Sequence, residues 1–113
     1  MKRIKSNFYK LHALKNAKPK LRKAIISNCD KELIHTISEC ALNVLRGNVN
    51  LTDCQKKRLR KFKGSLRTVI DKRVPLSRKK RLINQRGGFL IPLISAVLPT
   101  LASLFYNLIS SKK

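Results

Sequence analysis

The sequence predicts an all-α protein: a small basic bundle of three to four short helices followed by a hydrophobic C-terminal helix. Three observations predict it. Apolar residues recur at helical spacing through the first 86 residues. Helix-capping residues stand where the best stripes begin and end. The last stretch, Phe89 to Ser111, contains no charged residue.

Taken in order, Phe8, Leu11 and Leu14 fall at i, i+3 and i+6 and predict a short amphipathic helix. Pro19 suits a first helical position, because the donor it lacks is unpaired there anyway. Leu21, Ala24 and Ile25 follow at helical spacing, and that helix is expected to stop near Asn28. The strongest helix is predicted from Asp30 to Arg46. Leu33, Ile34, Ile37, Ala41, Val44 and Leu45 form one apolar stripe of period 3.6. Asp30 and Glu32 stand in its first turn, where the helix dipole favours acids. Gly47-Asn48 follows as the C-terminal stop. The next helix is predicted to start at Thr52, since Thr52-Asp53-Cys54-Gln55 is a capping box. Its stripe is Leu59, Phe62, Leu66, Val69 and Ile70, and Pro75 ends the unit. Ser77 is expected to cap a last short basic helix, Arg78 to Gln85, with Leu76, Leu82 and Ile83 turned inward. The stripes can meet in one core. That core is thin: aromatic residues are 5% of the chain and there is no Trp. Marginal stability without a polyanion is therefore expected.

At 113 residues there is room for one small domain plus a tail. The chain holds 27 Lys and Arg against 5 acids. Lys112 and Lys113 alone lie beyond Gly88, so 25 basic groups and all five acids precede it, a net +20. The expected division is a basic helical nucleic-acid-binding domain over 1–86, a Gly-Gly junction at 87–88 and a hydrophobic tail over 89–113. Solubility needs far less imbalance than this. Self-repulsion of this size opposes compaction unless counter-charge arrives, from nucleic acid phosphates or anionic lipid.

Nothing in the sequence points to catalysis. His12 and His35 have no acid partner at useful spacing, the five acids are dispersed, and no Gly-rich phosphate loop occurs. A non-enzyme is expected. The odd cysteine count, Cys29, Cys40 and Cys54, without an apolar stretch after Met1-Lys2-Arg3-Ile4-Lys5, argues for a reducing compartment. A zinc site from Cys29, His35, Cys40 and Cys54 lacks any CxxC or HxxxH pair, so neither a metal nor another cofactor is expected.

The basic runs carry the functional signal. Lys56, Lys57, Arg58, Arg60, Lys61, Lys63 and Arg67 surround the core-facing Leu59, Phe62 and Leu66; Arg78, Lys79, Lys80 and Arg81 form a second cluster. Such faces neutralise phosphates and release counterions, giving tight, salt-sensitive binding without sequence preference. No groove-facing reader of bases stands out. Double-stranded DNA is the expected partner, and the same runs can serve as nuclear localisation signals.

The tail from Phe89 to Ile109 is 21 residues without charge. As a helix it would span roughly a 30 Å hydrocarbon layer. Pro92 is harmless near a helix start, whereas Pro99 should kink the helix. Ser95, Thr100, Ser103 and Asn107 add polarity. Three roles compete: a membrane-inserting helix, a segment that docks on a partner, and a removable tail.

Gln85-Arg86-Gly87-Gly88-Phe89-Leu90-Ile91-Pro92-Leu93-Ile94 resembles the C-terminal part of the adenoviral pX precursor, from which the core peptide mu is released. In that family an Arg-rich DNA-condensing segment meets Gly-Gly and an apolar tail. The adenoviral maturation protease cuts after Gly-Gly when an apolar or amide residue stands two places before the first Gly, as Gln85 does. The resemblance implies cleavage between Gly88 and Phe89. Upstream, Ser38-Glu39-Cys40-Ala41-Leu42-Asn43-Val44-Leu45-Arg46-Gly47-Asn48 resembles small proteins of Maverick/Polinton-type and adintovirus-like elements, which encode adenovirus-related capsid genes and a protease. The chain differs from mu in being Lys-rich and helically patterned. The resemblance implies a virion-core protein that condenses DNA in the host nucleus, with capsid proteins and an adenovirus-type protease as further partners. The alternatives are a membrane-active or membrane-anchored basic protein and an adaptor whose tail docks on a capsid or host partner.

Overall fold

Asp30 opens the central helix of the protein. Its side chain accepts a hydrogen bond from the Leu33 N–H at 3.3 Å, which satisfies one of the helix's unpaired donors. The computed structural model describes residues 6–99, and every regular element among them is helical. In chain order these are α1 (Phe8–Asn16), α2 (Pro19–Asn28), α3 (Lys31–Leu45), α4 (Asp53–Arg60), α5 (Lys63–Ile70) and α6 (Leu76–Arg86). A 3-10 turn (Gly87–Phe89) then leads into α7, helical over residues 90–99. The all-α expectation holds, with six helices among the described residues up to Arg86 in place of the three to four expected. The remainder of the expected C-terminal helix, residues 100–113, lies outside the described residues, as do Thr100, Ser103 and Asn107. No helix among the described residues is long and apolar enough to cross a membrane.

α3 ends as its sequence predicts. Gly47 has φ +75°, a conformation that costs a residue without Cβ nothing. Asn48 N–H donates to Asn43 O at 2.9 Å and Gly47 N–H to Val44 O at 3.2 Å, the paired bonds of a Schellman stop. Leu33, Ile34, Ile37, Ala41 and Val44 are buried, with Thr36 and Cys40 beside them. Leu45 differs from expectation: it is 37% exposed, because it is the last helical residue and the chain turns away after it. α5 packs most extensively on α3, and Ser38 Oγ reaches from α3 to Val69 O at 2.8 Å.

Two boundaries and one face differ from the sequence expectation. The helix predicted from Thr52 through Ile70 is two helices. The capping box is present, with Thr52 N–H donating to Gln55 Oε1 at 2.9 Å and Gln55 N–H to Thr52 Oγ1 at 3.2 Å. The helix then breaks at Lys61–Phe62, where Phe62 N–H bonds to Leu59 O, three residues back, at 3.0 Å. Crowded cations and a glycine at position 64 give this stretch little intrinsic reason to stay continuous, and Phe62 instead packs its ring on Phe89, centroids 6.3 Å apart. α6 starts at Leu76, directly after Pro75, so Ser77 lies inside the first turn instead of capping it. On α2 the buried side chain is Ile26, whereas Leu21 is 57% exposed. The reason is α6, which packs on the face carrying Ser27: Asn84 Nδ2 donates to Ser27 Oγ at 2.8 Å, and Lys80 Nζ donates to Cys29 O. α1 presents Leu11 and Leu14 to the core. Arg22 holds the α1–α2 connector by donating to Leu14 O at 3.2 Å and Ala17 O at 2.8 Å.

The apolar segment after Gly88 joins this core. Phe89, Leu90, Leu93, Ile94, Ala96, Val97 and Leu98 are all buried in one cluster with the residues of α1 to α6. Six of these side chains are large. At roughly 1.5–3 kcal/mol for each large apolar side chain fully buried, their contribution is on the order of 10 kcal/mol. That rivals the whole net stability of a typical domain, about 5–15 kcal/mol.

Candidate nucleic-acid interface and processing site

Between Asp53 and Asp71 the chain has no acid and seven cations. The structure places all seven on the surface. Lys56, Lys57, Arg58 and Arg60 stand on α4, Lys61 at the break, and Lys63 and Arg67 on α5; every one is exposed. They surround Leu59 and Leu66, which are buried, so the helical period separates cations from core as the sequence implies. Arg60 and Lys57 also stand in the last turn of α4, where the helix dipole favours cations.

The second cluster is split by packing. Arg78 and Arg81 are exposed. Lys80 is half-buried and its Nζ is engaged with Cys29 O. Lys79 is only 6% exposed. Burial holds its ammonium below the ordinary lysine pKa, opposed by the negative charge of Asp71. A consecutive run on a helix must wrap around it, so one member faces inward. Nine of the eleven cations singled out by sequence therefore face solvent without an intramolecular bond that removes them from a ligand's reach. The runs draw attention away from isolated cations that are equally exposed: Lys10, Lys18, Lys20, Lys23 and Lys31. Only the fold shows that these single positions reach the surface.

Because the fold disfavours the Lys79 charge, the destabilisation is present at neutral pH and fades as pH rises through the lysine range. Replacing Lys79 with Met keeps the buried stem and removes the charge. The expected outcome is a raised thermal midpoint, with DNA affinity nearly unchanged. Calorimetry and a binding titration check it.

Acids serve the helix ends. Asp30 caps α3, Asp53 stands in the first turn of α4, and Asp71 pairs with Arg73 at 3.2 Å. The Arg73 side-chain and backbone hydrogen bonds hold the Asp71 carboxyl below its usual range. Among the described residues no group of three His, Cys, Asp or Glu is placed to hold a metal ion. His12 is exposed, and its Nδ1 accepts from Asn16 Nδ2 at 3.1 Å. A cavity of about 700 Å³ opens beside α3 and α6, lined by His35, Leu42, Ile70, Val74, Leu76 and Lys79 among others.

The cysteines differ sharply. Burial pushes the Cys40 thiol up to about 12, with a smaller push from Glu39. Cys29 is half-buried and its thiol is also raised, first by burial. Cys54 is exposed. A thiol-labelling reagent at neutral pH is expected to modify Cys54 first, Cys29 more slowly and Cys40 only after denaturation; peptide mass spectrometry over time checks the order. Labelling of Cys40 in the folded protein would contradict its place in the core.

Gly88 and Phe89 meet in the 3-10 turn between α6 and α7. Gly88 is exposed, but Phe89 is 0% exposed. A Cβ built on Gly88 would stand 3.1 Å from Cζ of Phe62. Bare backbone at this position admits the aromatic ring. No protein-family model, no curated protein and no solved structure matches the chain.

Proposed function

We propose that the chain is a non-enzymatic protein that binds and condenses double-stranded DNA without sequence preference, in the manner of a virion-core protein acting in the host nucleus. What carries this reading is the acid-free stretch between Asp53 and Asp71, with seven exposed cations held off the buried faces of α4 and α5. Each cation that meets a phosphate releases condensed counterions, so affinity comes from salt release and not from base contacts. Processing between Gly88 and Phe89 by an adenovirus-type protease belongs to the same proposal, on the motif Gln85-Arg86-Gly87-Gly88.

The test is a mobility-shift titration of the full chain on unrelated duplexes at several salt concentrations. Affinity should fall steeply and linearly in log salt, and all duplexes should bind alike. Salt-insensitive binding, or strong preference for one duplex, would overturn it.

A further inference from the structure

The bond proposed for cleavage lies at the edge of the core, and the residues after it fill the core. We infer that cutting between Gly88 and Phe89 is an unfolding switch that turns a folded helical precursor into an extended polycation. This rests on the processing proposed above.

Hydrolysis adds water across the peptide bond. The water oxygen joins the Gly88 carbonyl carbon, the C–N bond breaks, Gly88 leaves as a carboxylate and the Phe89 nitrogen as an ammonium. Phe89 has no exposed surface at all, so the new ammonium forms where water does not reach. A charge held away from water is strongly disfavoured, so the ammonium is drawn outward, toward solvent and the new carboxylate of the exposed Gly88. The Phe62 ring packs on that of Phe89, and the cut loosens this contact. The apolar residues from Phe89 to Leu98 are then held by contacts alone. Before the cut, the chain keeps them at an effective concentration on the order of millimolar; afterwards dilution favours their loss. What remains, residues 1–88, carries a net +20 and has lost the apolar burial that opposed its self-repulsion. An extended polycation can follow the DNA backbone, whereas a folded one offers only its surface. The same burial restrains the cut: a protease cleft takes extended backbone, and the Gly88–Phe89 bond is folded into a 3-10 turn.

Two arms separate the switch from the processing. In the first, the full chain is incubated with an adenovirus-type maturation protease and followed by mass spectrometry. In the second, Gly87→Asn and, separately, Arg86→Asn each create an Asn-Gly bond, which the chain otherwise lacks. Hydroxylamine cuts it under denaturing conditions, and cut and uncut chains are refolded side by side. The uncut variants should regain the helical circular-dichroism signal of the original protein. The cut chains should lose most of it, and their two pieces should separate on size exclusion. Cut chains that refold to full helicity with both pieces together would overturn the switch. An intact chain in the first arm, with loss of helicity in the second, would overturn the processing and leave the switch standing. If one variant folds poorly uncut, the other carries the test.

Discussion

Replacing Lys57, Arg58, Lys61 and Arg67 together with Gln is expected to weaken duplex binding by orders of magnitude while leaving the helical signal nearly intact. All four side chains are exposed, and Leu59, Leu66 and Val69, which hold the same segment to the core, are buried. If each cation meets one phosphate, the slope of log affinity against log salt should fall by about 3 to 4 units, at roughly 0.9 per contact. The loss should be equal on every duplex, since phosphate contacts carry no sequence information. A collapse of helicity would mean that these residues support the fold. Unchanged affinity and slope would move the interface elsewhere on the surface, to α1 and α2 with their exposed lysines.

Replacing Leu93 and Ile94 together with Ala should unfold most of the protein. The two residues are 0% and 1% exposed, and each truncation of a buried Leu or Ile typically costs about 2–5 kcal/mol. Together they approach the whole net stability of a small domain. Circular dichroism should show a large loss of helix at ambient temperature, and the thiol of Cys40, far away along the chain but within the same core, should become reactive. A variant with undiminished helicity would mean that residues after Gly88 only rest on the bundle. Added duplex DNA should restore part of the helix if the folded state binds it, by simple mass action.

Local signals carried much of this protein. The capping box at Thr52 and Gln55, Pro19 at the start of α2 and the Gly47 stop each depend on bonds within a few residues, so the sequence alone places them. The stripe of α3 was legible for the same reason: period fixes a face before any partner is known. The exposed cations of α4 and α5 follow from that period too, because whatever lies off the apolar stripe faces water. Tertiary structure decided what depends on partners. The α2 face that is buried is set by α6, through Asn84 and Lys80, and no spacing within α2 reveals it. Lys79 and Lys80 leave the cationic surface because a basic run on a packed helix cannot keep every side chain outward. The largest decision concerns the stretch after Gly88. Hydropathy marks it as a segment seeking an apolar environment and is blind to which one, lipid, partner or the chain's own core. The fold supplies the answer for Phe89 to Leu98: a bundle thin in aromatics is completed by the apolar residues that follow it.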